Sequence, residues 1–219
     1  MDRRFQAYND RVAAIDLKSD IDHHNFVYPE RRQIAVPVCD LLDQPNGDRQ
    51  RQLLYGASVD MFEDVAGWAF VRQNSDGYVG YLKSAALESY TTPTHYVANA
   101  LTHCYRDADF KSPDKAQLPM QSQIRVREKK DKFARTDLGW IPLAHVKPLT
   151  ENAPDIVIEA QKFLGVPYLW GGNSALGIDC SGLVQVACSA CGIAAPADSD
   201  LQREALGEYV QGDVERGDL

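Results

Sequence analysis

The spacing of apolar residues divides the chain into four regions. Residues 1–32 are polar and charged with one short apolar run, which predicts an N-terminal extension with a short helix packed on its neighbour. Residues 33–90 and 91–149 consist of short apolar runs separated by turn residues, as in small β-barrels. Residues 150–219 change to helical spacing. The pattern therefore predicts an α+β chain with two barrels followed by a mixed domain.

The two strand-rich regions contain a similar local pattern. Residues 77–82 read GYVGYL and are followed by an apolar segment at 85–87, while residues 138–142 read LGWIP and are followed by residues 144–146. Each copy predicts a final hairpin strand and a short helical turn. Two copies of one pattern favour tandem barrels.

Three helices are predicted in the last region. The first has Pro154 near its first turn and ends at Gly165, and a short one covers residues 201–206. Between them, a glycine-rich turn at 171–177 precedes a helix that begins near Cys180. The unsatisfied N–H groups and the dipole at a helix N-terminus favour a thiolate there. The sequence thus predicts Cys180 as a nucleophile, with a buried structural cysteine as the alternative.

Composition excludes several classes of protein. The net charge of −8 argues against a nucleic-acid binder, and no apolar run reaches the ~18 residues of a membrane span. The first residues lack the apolar segment of a secretory signal, so we expect a cytoplasmic protein. Five cysteines, an odd number, argue against a disulfide scaffold. Cys188 and Cys191 form a C-x-x-C pair without further ligands, so we interpret them as structural thiols and expect no metal or cofactor.

One segment resembles a known family. Residues 167–172 (PYLWGG), Gly177 and residues 179–183 (DCSGL) resemble the nucleophile motif of the NlpC/P60 cysteine peptidases. The whole chain resembles the subgroup with two bacterial SH3-type barrels ahead of a papain-like α+β domain, here only in part. The resemblance implies that Cys180 is the nucleophile of a γ-D-glutamyl-L-diamino acid endopeptidase acting on peptidoglycan stem peptides.

The resemblance also implies residues that bind the substrate. Tyr168 matches a tyrosine near the oxyanion position, and Asp179 and Ser181 match positions that hold the free amino end of the stem peptide. Glu63 or Tyr81 of the first barrel is expected to close that pocket. For Asp179 and Ser181, capping of the helix is an equal alternative and is compatible with binding.

The positions of the histidines differ from the position of the general base in the family. The family uses a histidine downstream of the cysteine as general base, whereas His23, His24, His95, His103 and His145 all lie upstream. Residues 217–219 (GDL) resemble the tripeptide that precedes that histidine's strand. We therefore expect the front portion of such an enzyme, which can be alkylated at its cysteine but turns over very slowly or not at all.

Two functional classes remain open. The first is an endopeptidase that recycles cell-wall peptides, and the second is a cell-wall peptide-binding SH3-type module with a degenerate catalytic portion. Acyl transfer by the same thiol is a less favoured third option, because Asp179 and Ser181 suit a free amine. The oligomeric state is not indicated by the sequence.

Overall fold

A computed structural model describes residues 2–218, and the chain separates into two compact units between Thr92 and Pro93. The α+β class is confirmed, with many strands and few helices. The prediction divides the chain into four regions, and each of the two compact units contains two of those regions.

The first unit is built on antiparallel strands. Its strands are β1 (Ala13–Ala14), β2 (Phe26–Val27), β3 (Glu30–Ile34), β4 (Val38–Leu42), β5 (Arg49–Leu54), β6 (Ser58–Val65), β7 (Trp68–Gln73), β8 (Val79–Lys83) and β9 (Leu87–Ser89). Seven of them form one sheet in the order β5-β4-β8-β7-β6-β3-β9, and β1 pairs with β2 in parallel. Within residues 2–92 this sheet has two outer strands, β5 and β9, so the predicted barrel is an open sheet.

Alternation along the strands builds the core of this unit. In β4, Cys39 and Leu41 are buried while their neighbours are half-exposed. A turn joins β4 to β5, and Asn46 adopts a positive φ of 59° there. Ile34 and Leu82 are fully buried in the same core, and a buried side chain of this kind contributes about 1.5–3 kcal/mol.

The N-terminal extension differs from the prediction of one short helix. It forms two 3-10 turns, Arg3–Phe5 and Ile15–Leu17, and the short strands β1 and β2. The expected packing on a neighbour is confirmed, because the extension shares a hydrophobic cluster with β6 and β7; its buried members are Ala7, Val12, Ala14, Phe62 and Phe70. The apolar spacing of the extension thus serves sheet packing rather than a helix.

The second unit contains ten short strands within its described residues. They are β10 (His95–Val97), β11 (Leu101–Tyr105), β12 (Asp114–Pro119), β13 (Gln123–Ile124), β14 (Glu128–Lys130), β15 (Phe133–Arg135), β16 (Trp140–Pro142), β17 (Val146–Pro148), β18 (Asn173–Ser174) and β19 (Gly177–Ile178). Three sheets result, with orders β12-β11-β16-β15-β14, β13-β10-β17 and β18-β19. The predicted repeat is confirmed: β8 and β16 are each followed by a 3-10 turn, Ser84–Ala86 and Leu143–His145.

The second unit also contains three helices: α1 (Ile156–Gln161) before β18, and α2 (Cys180–Ala190) and α3 (Ser199–Ala205) after β19. Helix α1 begins after Asp155, whose carboxylate accepts hydrogen bonds from the first turn, so Pro154 lies before the cap rather than within the helix. Gly165, with a φ of +84°, lies in the turn after α1.

The helices pack directly on the strands of their own unit. Met120, at the end of β12, shares a buried cluster with Phe163, Ile178 and Val186. Lys162 Nζ also donates to the carbonyl of Ala98 at 2.9 Å. These contacts make α1, α2 and the second strand-rich region one folding unit.

Candidate active site

The glycine-rich turn brings its backbone against the start of α2. A Cβ on Gly182 would lie 2.2 Å from the carbonyl oxygen of Gly172, and one on Gly172 would lie 2.5 Å from the carbonyl oxygen of Gly177. Side chains at these two positions would therefore push the turn away from the helix. The glycines are required for close backbone approach, which fixes the position of Cys180.

Asp179 fastens the turn to the helix. Its Oδ1 accepts hydrogen bonds from Gly182 N at 2.7 Å and Ser181 Oγ at 3.1 Å, and its Oδ2 accepts from Gly171 N at 2.8 Å. The capping role weighed in the sequence is therefore confirmed for Asp179. Its role in holding an amine, like that of Ser181, stays a prediction.

Cys180 is the first residue of α2 and its side chain is exposed. The remaining cysteines differ in environment. Burial raises the pKa of Cys39 and of Cys104 to about 12, and it also raises the pKa of Cys188 and Cys191 above the ordinary thiol value. Cys180 is thus the accessible thiol placed at a helix N-terminus, as a nucleophile requires.

Two aromatic residues flank the approach to the turn. Tyr168 forms a single bridge with Ile178, the residue before Asp179, and remains 66% exposed. Trp170 is 68% exposed. Tyr168 is therefore open to a ligand near the start of α2, and its oxyanion role stays a prediction.

Gln202 of α3 is a residue of the site that the sequence did not indicate. Its buried amide donates to the carbonyl of Ser181 at 2.8 Å and to that of Pro196 at 2.9 Å. The contact joins α3 to the first turn of α2. A polar residue in a short helix is expected to be solvated, so nothing in the sequence indicated that Gln202 is buried against α2.

Glu63 and Tyr81 lie together in the first unit. Asn9 Nδ2 donates to Glu63 Oε1 at 2.7 Å and to Tyr81 Oη at 2.9 Å. Arg11 forms an ion pair with Glu63 at 2.6 Å. Burial raises the pKa of Tyr81, and the hydrogen bond to Glu63 raises that of Arg11. The sequence identified the two acceptors and missed Asn9 and Arg11, which come from a distant segment.

The histidines of the second unit have partners within its strand-rich part. His145 Nδ1 lies 2.8 Å from Thr102 Oγ1, and His95 Nδ1 lies 2.8 Å from the hydroxyl of its neighbour Thr94. Burial lowers the pKa of both imidazoles. Their contacts give them structural roles in the sheets.

Two kinds of feature are missing from residues 2–218. No group of three or more His, Cys, Asp or Glu side chains is arranged to hold a metal ion there. No helix in the described part of the chain has the length and apolar character to cross a membrane.

Two segments of the chain match known protein families. Residues 165–219 match the NlpC/P60 family, and residues 41–87 match the bacterial dipeptidyl-peptidase SH3 domain. The carboxyl-terminal part of the chain is similar in sequence to the NlpC/P60 family. The NlpC/P60 match includes the glycine turn, Asp179, Cys180 and all of α2, which are the residues of the site described above. Residue 219, at its end, lies outside the described structure.

Curated relatives match different shares of the chain. The chain is 29% identical over 187 residues to the gamma-D-glutamyl-L-lysine dipeptidyl-peptidase of Bacillus subtilis, covering 78% of this chain and 62% of that protein. It is 48% identical over 65 residues to the gamma-DL-glutamyl hydrolase of the same organism, covering 29% of this chain and 15% of the relative. The chain thus spans less than two thirds of the length of these relatives.

A solved structure supports the fold. An NlpC/P60 family protein from Bacillus cereus matches with a TM-score of 0.74 at 18% identity, covering 86% of this chain and 81% of that one. At this identity the likeness concerns the fold alone.

Proposed function

We propose that this protein is a cysteine endopeptidase that hydrolyses the γ-D-glutamyl-L-diamino acid bond of peptidoglycan stem peptides with a free N-terminal L-alanine. The observation that carries the proposal is Cys180, an exposed thiol at the first residue of an aspartate-capped helix within the NlpC/P60 match. The name of the Bacillus subtilis relative supports the choice of bond.

The chemistry assigned to the site is nucleophilic catalysis. Cys180 Sγ attacks the γ-carbonyl carbon of the glutamyl residue, the C–N bond breaks, and the leaving amine takes a proton. Water then hydrolyses the thioester and restores the thiol. Tyr168 is assigned to the oxyanion, and Asp179, Ser181, Glu63 and Tyr81 are assigned to the free amino end of the peptide.

We expect slow turnover of the peptide, because no histidine follows Cys180 in this sequence. General acid–base catalysis typically contributes about 10²–10⁴-fold, and all five histidines precede the cysteine. The 219-residue polypeptide is therefore proposed to react at Cys180 and to turn over very slowly. Imidazole added to the solution supplies the missing acid and base and should accelerate the reaction.

The test uses L-Ala-γ-D-Glu-L-Lys as substrate and mass spectrometry to follow lysine release with and without imidazole. Release should depend on Cys180 and rise with imidazole, whereas Cys180→Ala should show neither effect. No Cys180-dependent release at any imidazole concentration would remove the endopeptidase proposal for this polypeptide.

Cellular role and location are part of the same proposal. We assign the protein to recycling of cell-wall peptides in the cytoplasm, because a free L-alanine end is produced when stem peptides are released from glycan. The five free cysteines fit a reducing compartment. Cell fractionation with an antibody against the protein tests the location.

A second candidate is a module that binds cell-wall peptides without cleaving them. The match of residues 41–87 to a bacterial SH3 domain supports it. It predicts that the tripeptide binds and that imidazole has no effect on its integrity.

A further inference from the structure

The N-terminal extension places two polar side chains against the Glu63–Tyr81 pair. Ala7, Val12 and Ala14 of the extension are buried in a cluster with Phe62 and Phe70 of the sheet. Residues 8–11 form the loop between these anchors. The loop is therefore held on the sheet by apolar packing, independently of its polar contacts.

Arg11 and Asn9 together surround the Glu63 carboxylate. Arg11 donates through Nη2 to Oε1 at 2.6 Å and through Nε to Oε2 at 3.0 Å, a forked contact that sets the plane of the carboxylate. The Asn9 amide donates to Oε1 at 2.7 Å and to Tyr81 Oη at 2.9 Å. The Glu63 side chain is 9% exposed, against 52% for Arg11. The acceptors are thus held from the more exposed side by the loop.

Asn9 is itself fixed by its own loop. Its Oδ1 accepts hydrogen bonds from Arg11 N at 2.8 Å and Val12 N at 3.0 Å, and its carbonyl oxygen lies 2.9 Å from His23 Nε2. The amide therefore has one orientation, with its NH₂ group directed at Glu63 and Tyr81. An asparagine at this position defines the spacing of the two acceptors.

Glu63 and Tyr81 each have hydrogen-bond acceptor positions that these contacts do not use. Glu63 Oε1 receives two donors, and Oε2 receives one, so one acceptor position remains on Oε2. Tyr81 Oη receives one donor from Asn9, which leaves a further acceptor position and the hydroxyl proton. Each of the two residues keeps one acceptor for a hydrogen bond from outside the cluster.

We propose that Asn9 and Arg11 are positioning residues that set the preference of the Glu63–Tyr81 pair for a ligand with a free ammonium group. The inference rests on the proposed function, which assigns Glu63 and Tyr81 to the amino end of the peptide. An ammonium group can donate to both remaining acceptors, whereas an acetylated nitrogen has a single N–H and no charge. Holding the two acceptors at a fixed spacing therefore selects the free amine.

The experiment measures this preference in the 219-residue chain carrying Cys180→Ala, which prevents turnover. Isothermal titration calorimetry gives the dissociation constants of L-Ala-γ-D-Glu-L-Lys and of its N-acetyl form. The ratio of the two constants is the amine preference. A variant that only loses stability leaves this ratio unchanged, since both peptides need the same folded protein.

The expected results separate positioning from folding. Arg11→Met and Asn9→Leu should each reduce the amine preference about tenfold, by analogy with the loss of a group that orients a metal-ligating side chain. Arg11→Lys keeps the charge without the fork and should restore part of it. Lys18→Met, which removes an exposed charge elsewhere in the extension, is the matched control and should have no effect.

Four outcomes would overturn the inference. If Glu63→Gln keeps the full preference, or if the parent chain binds neither peptide, the amine assignment in the proposed function fails as well. If Glu63→Gln loses the preference while Arg11→Met and Asn9→Leu keep it, the positioning role alone is wrong. Tighter binding of the free amine by Arg11→Met would show that Arg11 competes with the ligand, which also contradicts positioning.

Discussion

Replacing Asp179 tests the structural basis of the nucleophile site. Its carboxylate accepts hydrogen bonds from Gly182 N, Ser181 Oγ and Gly171 N, at 2.7, 3.1 and 2.8 Å. Loss of a helix N-cap costs about 0.5–2 kcal/mol, and a hydrogen bond to a charged group contributes about 1.5–3 kcal/mol. We therefore expect Asp179→Ala to lower the free energy of unfolding of the second unit by about 2–4 kcal/mol.

Asp179→Asn is the matched variant, because it separates capping of α2 at Gly182 N from the hydrogen bond that holds the turn at Gly171 N. Asparagine keeps an acceptor for Gly182 N and caps the helix, but its NH₂ group would face the N–H of Gly171. We expect a loss of about 1–2 kcal/mol, roughly half that of the alanine variant.

Urea denaturation followed by tryptophan fluorescence measures both Asp179 variants. Trp140 and Trp170 report on the second unit and Trp68 on the first, so Trp68→Phe in all proteins isolates the relevant transition. An alanine variant within 0.5 kcal/mol of the parent, or an asparagine variant as unstable as alanine, would refute the reasoning.

Three further predictions concern other parts of the chain. Iodoacetamide at pH 8 should modify Cys180 first in the folded protein, and peptide mapping that shows equal labelling of the buried cysteines would contradict this. Arg51→Ala should cost about 3–5 kcal/mol by leaving the buried Asp76 carboxylate without its ion-pair partner, measured by urea denaturation of the first unit. Burial lowers the pKa of His145 below 6.5, so the free energy of unfolding contains a contribution that is present above that pH and is lost as pH falls through the folded pKa. His145→Asn should therefore make the free energy of unfolding less dependent on pH between pH 7.5 and 5.5.

Local patterns in the sequence were sufficient to predict the secondary structure around Cys180. The glycines of the turn, an aspartate and an apolar helical spacing occur within 20 residues, so the cap and the start of α2 follow from short-range rules. The two strand-to-turn repeats were predictable for the same reason. Closure of a barrel depends on pairing between distant strands, which the alternation of residues does not encode, and here the sheet remains open.

The contacts missed by the sequence are those that join distant segments. Asn9 and Glu63 are separated by 54 positions, and Gln202 and the carbonyl of Ser181 by 21. In both cases an amide side chain, which looks like a solvated polar residue in the sequence, is directed at an acceptor of a proposed ligand-binding residue. A buried amide retained in this way must satisfy its donors, since an unpaired one costs about 1–3 kcal/mol. Amides that anchor one segment to another are therefore where the structure adds most to what the motif already indicated.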